Sequence, residues 1–301
     1  MSYIVTGGAG FIGGHLVDML VSKRHDTIVI DDLSSGKYIN AKSKFVKLDL
    51  RRQTKVGMPK GAGIFHLAAN PSVRDSMSNV NEHFDRDVKT TINVMEMARK
   101  IDSEFLVFLS TSAVYGDAKK VPTSESEPTN PISNYAEFKL VSEKIVEYYS
   151  RNYGIKATSL RLANIIGRRS DHGVISDLAK SLSHNQETLE LLGDGTQKKS
   201  YLYIDDAIAA IMVAMRRMPG AYSVFNVGSR DSITVNELVA ILEKRMGVAP
   251  KHVYKDSGEG RGWRGDVKQM QLDITRMRRL GWTPRFNSSQ SVSKAVDDIL
   301  G

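Results

Sequence analysis

Val5-Thr6-Gly7-Gly8-Ala9-Gly10-Phe11-Ile12-Gly13 decides how this chain is read. Glycines 7, 10 and 13 recur at every third position. They lie between a short apolar run, Tyr3–Thr6, and an amphipathic stretch, Ile12–Leu20. One glycine permits a tight turn, another lets the backbone approach a pyrophosphate, and the third lets helix and strand pack closely. The helix that follows presents unpaired N–H groups and the positive end of its dipole to the phosphates. Gly7, Gly10, Phe11, Ile12 and Gly13 are therefore expected to cradle a dinucleotide. The competing reading is a plain glycine turn, and Asp31 weighs against it. This acid ends the next apolar run, Thr27–Asp31, 18 residues after Gly13, where it accepts both hydroxyls of an adenine ribose. A carboxylate there repels a 2′-phosphate, so NAD is favoured over NADP; Lys37 is the residue that would neutralise such a phosphate.

Outward from the loop, apolar runs alternate with amphipathic stretches. Further strands are predicted at Phe45–Asp49, Gly63–Leu67, Phe105–Ser110 and Thr158–Ala163, and helices at His83–Arg99 and Tyr135–Tyr149. In the first of these helices Phe84, Val88, Ile92 and Met95 fall at helical spacing and predict one apolar face. Strands alternating with helices give an α/β fold, a doubly wound parallel sheet of Rossmann type. After about residue 165 elements shorten and loops lengthen, at Asp171–Gly173, Gly193–Thr196 and Asp256–Gly265. Thr234-Val-Asn-Glu237 reads as a capping box, and Gly281 with Pro284 as a helix end. The expected organisation is a dinucleotide-binding domain over 1–165 and a smaller mixed α/β domain over 166–301. Part of 200–230, beginning with a Tyr201–Ile204 strand, is expected to return to the large sheet.

Tyr135 and Lys139 stand four apart, on one helical face. A phenol titrates near 10, too high for a base at neutral pH, but a neighbouring ammonium and a cationic nicotinamide ring both favour the phenolate. Tyr135 is thus a candidate general base for a hydroxyl. Ser110-Thr111-Ser112 ends the preceding strand and offers a hydroxyl to the same oxygen. Asp49, at the end of the third strand, is either an acceptor for the adenine amino group or a turn acid.

With these residues in place, the chain resembles the extended short-chain dehydrogenases/reductases, specifically the NAD-dependent epimerase/dehydratase family, across nearly its whole length. The matching stretches are VTGGAGFIG (Val5–Gly13), IDDLSSGK (Ile30–Lys37), FHLAA (Phe65–Ala69), FLSTSAVYGD (Phe108–Asp117), YAEFK (Tyr135–Lys139), LRLANIIG (Leu160–Gly167), GDGTQKKSYLYIDD (Gly193–Asp206) and RGWRGDV (Arg261–Val267). Within it the chain is most similar to UDP-hexose 4-epimerases of archaeal and bacterial type.

The resemblance implies interconversion of UDP-glucose and UDP-galactose through a transient 4-keto sugar. Tyr135 would be the base, Thr111 the partner of the 4-oxygen, and Lys139 the group that bonds the nicotinamide ribose and lowers the phenol's pKa. It extends the NAD contacts to Asp32, Ser35, Gly36, Asp49, Leu50, Leu67, Ala68, Ala69, Asp87 and Ser110. It assigns the nucleotide-sugar to Asn164, Lys199, Arg261 and Asp266. It also implies a homodimer built on the two long helices, with Phe84, Ile92, Tyr148 and Tyr149 as candidate contacts.

Departures from the family pattern bear on the sugar. Lys199 stands for an arginine and gives up its bidentate fork. Trp263 stands for another arginine, whose role passes to Arg261 or Arg264, with Arg261 favoured. Asp87 replaces a common asparagine, and Leu162 a common tyrosine. Other UDP-sugars, a nucleotide-sugar dehydratase or decarboxylase, and a non-catalytic dinucleotide-binding or RNA-binding relative are the alternatives. The set Thr111, Tyr135 and Lys139 argues against the last.

Composition bounds the rest. The 301 residues include no cysteine, which excludes disulfides, thiolate metal sites and a cysteine nucleophile. No stretch reaches the roughly 18 apolar residues of a membrane span, and the glycine loop follows Met1 too closely for a signal peptide. A cytoplasmic protein is expected, with no membrane or nucleic-acid partner. The net charge of +8 suits an anionic ligand, and its basic pairs are scattered. Seven histidines, none in HxxH or HExxH spacing, predict no metal site. Asp205-Asp206 reads as a helix N-terminal pair.

Overall fold

A computed structural model of the chain describes residues 1–52, 57–256, 260–263 and 265–301. The first elements, in chain order, are β1 (Ser2–Thr6), α1 (Phe11–Ser22), β2 (Asp26–Asp31), β3 (Lys44–Lys47), β4 (Gly63–His66), α2 (Val80–Phe84), α3 (Thr90–Lys100), β5 (Phe105–Thr111), α4 (Asn134–Tyr153) and β6 (Lys156–Leu162). Seven strands form one sheet in the order Tyr222–Val227, β6, β5, β4, β1, β2, β3. The pairings from β5 to β3 are all parallel. Strand order reverses at β1: the chain runs outward to β3 on one side and resumes at β4 on the other. Ligands of open α/β sheets bind beyond the strand ends at such a switch. The glycine loop follows β1 at that point.

The central strands are buried along nearly their whole length because helices cover both faces. Ile4, Ile28, Ile30, Ile64, Leu106 and Phe108 pack with Val94, Met95 and Ala98 of α3 and Val146 of α4. α4 starts where the Ser133 hydroxyl accepts from the Ala136 N–H, and stops at Gly154, which takes the left-handed conformation (φ 73°) that glycine adopts without penalty.

The helix predicted from His83 differs in two respects. It starts at Val80, and between α2 and α3 the residues Asp85–Lys89 form a π turn. The wider turn breaks the 3.6-residue phase, so the predicted apolar face splits. Val88 and Met95 are buried, whereas Phe84 and Ile92 are exposed. Strand β3 ends at Lys47, so Asp49 lies in the turn beyond it.

The described residues divide into two units, Met1–Val114 with Ser133–Arg161 and Ile208–Phe225, and Tyr115–Ile132 with Leu162–Ala207 and Asn226–Gly301. Residues 115–132, expected in the first domain, lie in the second unit. There Thr123 bridges to Leu272, the Tyr115 hydroxyl donates to Asn226 (2.8 Å), and Glu125 accepts from the Asn226 N–H (2.9 Å). Residues 162–165 also fall there, where Asn164–Ile166 pairs with Tyr201–Tyr203. The Tyr201–Tyr203 strand therefore does not join the large sheet; Tyr222–Val227 does. The second unit has its own core, in which Ile175, Leu182, Leu238, Leu242, Val292 and Val296 pack from three helices. The capping box at Thr234 forms with both of its hydrogen bonds, and Gly281 (φ 88°) follows the helix Thr275–Arg279. Among the described residues no helix is long and apolar enough to cross a membrane.

Candidate active site

The glycine loop is built on close approach. Gly7 takes φ 69°, and a Cβ there would lie 2.7 Å from the Ala68 backbone nitrogen. A Cβ on Gly13 would lie 2.1 Å from the Gly7 carbonyl oxygen, so only glycine lets α1 start against the turn. Gly10 differs: a Cβ there would meet only the Gly7 oxygen, at 3.3 Å, and would otherwise face open space. As the N-cap it supplies no side-chain acceptor, which leaves the first N–H groups of α1 to a ligand. Phe11 and Ile12 are half-buried in that first turn, and Phe11 meets His15 edge to face.

Asp31 ends β2 with its carboxylate fixed by the chain itself. Oδ2 accepts from the Ala9 N–H (3.0 Å) and Oδ1 from the Leu33 N–H (2.8 Å), and each oxygen keeps a lone pair for a ribose hydroxyl. Burial raises its pKa against the pull of those two bonds. Asp32 points elsewhere. It accepts from Ser34 and from Arg86 (3.1 Å), which hold its carboxyl low against the upward push of burial. Asp49 is engaged by Arg51, whose guanidinium and backbone N–H hold its pKa down despite partial burial. Arg51 reaches on to Glu82, which also pairs with Arg86. This acidic–basic chain was not legible in the sequence, because its members lie up to 54 residues apart. Ser35 is exposed, Gly36 is buried, and the Leu50 side chain belongs to the core while its carbonyl accepts from Asn93 (2.8 Å). The Leu67 N–H donates to the Thr6 carbonyl (3.0 Å), and Ala68 and Ala69 follow half-buried beyond β4. His66, unremarked in the sequence reading, is wholly buried between the hydroxyls of Thr6 and Thr91, and burial pushes its pKa down to about 3.

Beyond β5 the catalytic candidates meet. The Thr111 hydroxyl acts on the Tyr135 phenol and favours its ionised form. Burial, reinforced by the Asp87 carboxylate, pushes the phenol's pKa well above the ordinary tyrosine value, and the Thr111 hydroxyl opposes this. Tyr135 is positioned through its backbone, since its N–H donates to the Ser76 hydroxyl (3.1 Å). Lys139, one turn along α4, is buried. Its ammonium donates to the Leu109 carbonyl (2.8 Å) and lies 4.8 Å from the centre of the Phe108 ring. Burial lowers its pKa, while Asp87 and Glu143 resist. The Ser110 hydroxyl is buried without a hydrogen-bond partner among the described residues, a donor left for a ligand. The open side of Gly10, the free N–H groups of α1, the fixed Asp31 carboxylate and the orphaned Ser110 hydroxyl together fit a dinucleotide.

The second unit gathers the other predicted residues. Lys199 forms an ion pair with Asp266. Arg261 donates to the Asp266 carbonyl (2.6 Å) and pairs with Asp117 (2.8 Å). Asn164 donates to the carbonyl of Ser200, the residue after Lys199 (3.3 Å). Asp117, at the end of FLSTSAVYGD, was not singled out in the sequence, since its partner Arg261 lies 144 residues away. Trp263 is half-buried, and Arg264, the alternative to Arg261, lies outside the described residues. Among the described residues no group of three or more acidic or histidine side chains is arranged to hold a metal ion.

Comparison with known proteins bears on this geometry. A model of the NAD dependent epimerase/dehydratase family matches residues 3–228. The chain belongs to this family. A putative UDP-glucose 4-epimerase of Methanocaldococcus jannaschii is 34% identical, over 98% of this chain and 97% of the relative. The crystal structure of a UDP-galactose 4-epimerase, 38% identical, superposes with a TM-score of 0.91 over 100% of this chain and 99% of its own. That of the UDP-glucose 4-epimerase of Thermotoga maritima with UDP-glucose, 32% identical, gives 0.91 over the same shares. As a member of the epimerase/dehydratase family the chain is an enzyme, and its cofactor is NAD. The glycine loop and Asp31 belong to the end of the sheet where such a cofactor lies.

Proposed function

We propose that this enzyme interconverts UDP-glucose and UDP-galactose by inversion at C4 through a 4-keto sugar. The observation that carries the reading is the run beyond β5. Thr111, whose hydroxyl favours ionisation of the Tyr135 phenol, is followed by Ser112 and Ala113, so no carboxylic acid follows it in the chain. Tyr135 takes the proton of the sugar 4-hydroxyl and later returns it. Thr111 fixes the same oxygen. Lys139, held by the Leu109 carbonyl, keeps an ammonium within the catalytic helix turn. NAD, when bound, supplies a hydride acceptor for C4 and a positive charge near the phenol. Removal of a C5 proton and loss of the C6 hydroxyl need a further acid and base, which Ser112 and Ala113 do not provide.

In the second unit, Lys199, Arg261 and Asp266 take the diphosphate and the nucleotide ribose, and Asn164 contacts the nucleotide-sugar. The cluster they form with Asp117 supports this assignment. A UDP-glucuronate 4-epimerase, 25% identical over 98% of this chain, supports a second reading for the sugar alone: an N-acetylhexosamine, a uronic acid or a pentose in place of glucose. Incubation with a panel of UDP- and dTDP-sugars, followed by separation of stereoisomers, tests both. Conversion of UDP-glucose to UDP-galactose as the fastest reaction is expected. Preference for another UDP-sugar selects the second reading, and inertness toward all of them contradicts the first.

A further inference from the structure

Four charged side chains of the second unit form two ion pairs among the residues assigned to the nucleotide-sugar: Lys199 with Asp266, and Arg261 with Asp117. The two carboxylates are held differently. Asp266 is only 6% exposed, and besides pairing with Lys199 it accepts from the Gly262 N–H at Oδ2 (3.3 Å). Its own N–H donates to the Trp263 carbonyl (3.0 Å), so side chain and backbone are fixed together. The Asp117 side chain is 45% exposed, and Arg261 is its one hydrogen-bond partner among the described residues. Gly116 pins the backbone before it, because a Cβ there would lie 2.0 Å from the Asn130 carbonyl oxygen. Of the two acids, Asp117 is therefore the one that can turn into water without moving its own backbone.

Arg261 does not depend on Asp117 for its place. Nη1 donates to the Asp266 carbonyl (2.6 Å), a neutral backbone group that stays when Asp117 leaves. Asp117 takes the Nη1/Nη2 edge of the guanidinium, Oδ1 accepting from Nη1 (3.3 Å) and Oδ2 from Nη2 (2.8 Å). Two N–H groups meeting two oxygens is also how a guanidinium grips a phosphoryl group. A diphosphate on this edge and the Asp117 carboxylate compete for the same donors.

We propose that Asp117 is a displaceable counter-ion of Arg261: it fills the phosphate-binding edge of the guanidinium until a nucleoside diphosphate drives it into water, and so sets how tightly the anionic part of the ligand is held. The inference rests on the assignment of the diphosphate to Arg261, not on the identity of the hexose. The sign follows from the contacts. Binding must break the Arg261–Asp117 pair and bring like charges together, so the carboxylate opposes it. Without that carboxylate, Arg261 keeps its bond to the Asp266 carbonyl and presents the edge to phosphate. A neutral nucleoside meets no such competition. Loss of one exposed partner of a surface pair corresponds to a change in affinity of about two- to fivefold.

The test is an NMR titration of the NAD-loaded protein with UDP and, in parallel, with uridine. Asp117→Asn and Asp117→Ala are both expected to bind UDP about two- to fivefold more tightly than wild type, with uridine affinity unchanged. UDP held equally or more weakly by both variants overturns the proposal. So does an equal gain for UDP and uridine, which marks a general change in the nucleotide site. Arg261→Met separates these failures from failure of the assignment. If it weakens UDP while the Asp117 variants change nothing, Arg261 binds the diphosphate and only the counter-ion role falls. If it leaves UDP affinity as in wild type, the assignment falls and the proposal with it. Neither probe carries a hexose, so the outcome is independent of whether UDP-glucose is turned over.

Discussion

A phenol that must yield its proton near neutral pH needs positive charge close by, yet burial and the Asp87 carboxylate raise the Tyr135 pKa. Thr111 alone pulls the other way. On the proposed reading of Tyr135 as the base, the positive charge that bound NAD would supply is what favours loss of its proton. Tyr135→Phe keeps the ring and its packing and removes only the oxygen. Turnover is expected to fall by roughly 100-fold or more, as for loss of a general base, with NAD still bound. Activity within about threefold of wild type would place the base elsewhere. Tyr135, Lys139 and Thr111 were legible because their chemistry lies in residue type and short spacing. His83 was not. Its Nδ1 faces the Asp87 carboxylate at 3.6 Å across a π turn, and no hydropathy period announces an inserted residue. The Leu109 carbonyl that holds Lys139 is likewise a backbone group, invisible to a reading of side chains.

The β1–α1 loop shows why three glycines stand where they do. Gly13 lies so close to the Gly7 carbonyl that an added methyl has no free volume, and backbone must move to admit it. Gly13→Ala is expected to cost about 1–3 kcal/mol of stability, the usual range for overpacking, and to lower NAD retention. Chemical denaturation of the NAD-depleted protein, alongside the NAD content of the purified variant, checks both. Unchanged stability and full NAD content would contradict the close-approach account. This element was readable at once, since strand, glycines and helix follow one another in sequence. The helix after β4 was readable only in part. Periodicity found its existence, but the π turn shifted its phase and sent Phe84 and Ile92 to the surface.

At the scale of the molecule, the doubly wound parallel sheet followed from the alternation of strands and helices, because parallel strands need helical crossovers. The division into units was harder to see. Residues 115–132 and 162–165 join the second unit through contacts with residues more than a hundred positions away or in a separate small sheet. Exposed apolar side chains remain on α2, α3 and α4: Val80, Phe84, Ile92, Tyr148 and Tyr153. Tyr149, one of the expected contacts, instead donates to Glu96 within its own unit (2.8 Å). We propose that a second copy covers this face. Light scattering at micromolar concentration is expected to give twice the chain mass of 33.4 kDa. A monomer mass would contradict it.

In the proposed reaction the oxidised sugar has no route but reduction at C4. Thr111-Ser112-Ala113 offers no acid to the C6 hydroxyl. The most direct measurement is proton NMR of UDP-glucose incubated with the enzyme in deuterated water. The expected product is UDP-galactose with no deuterium at C5 and no methyl resonance. A new C6 methyl signal, the mark of a 4-keto-6-deoxy product, would contradict it.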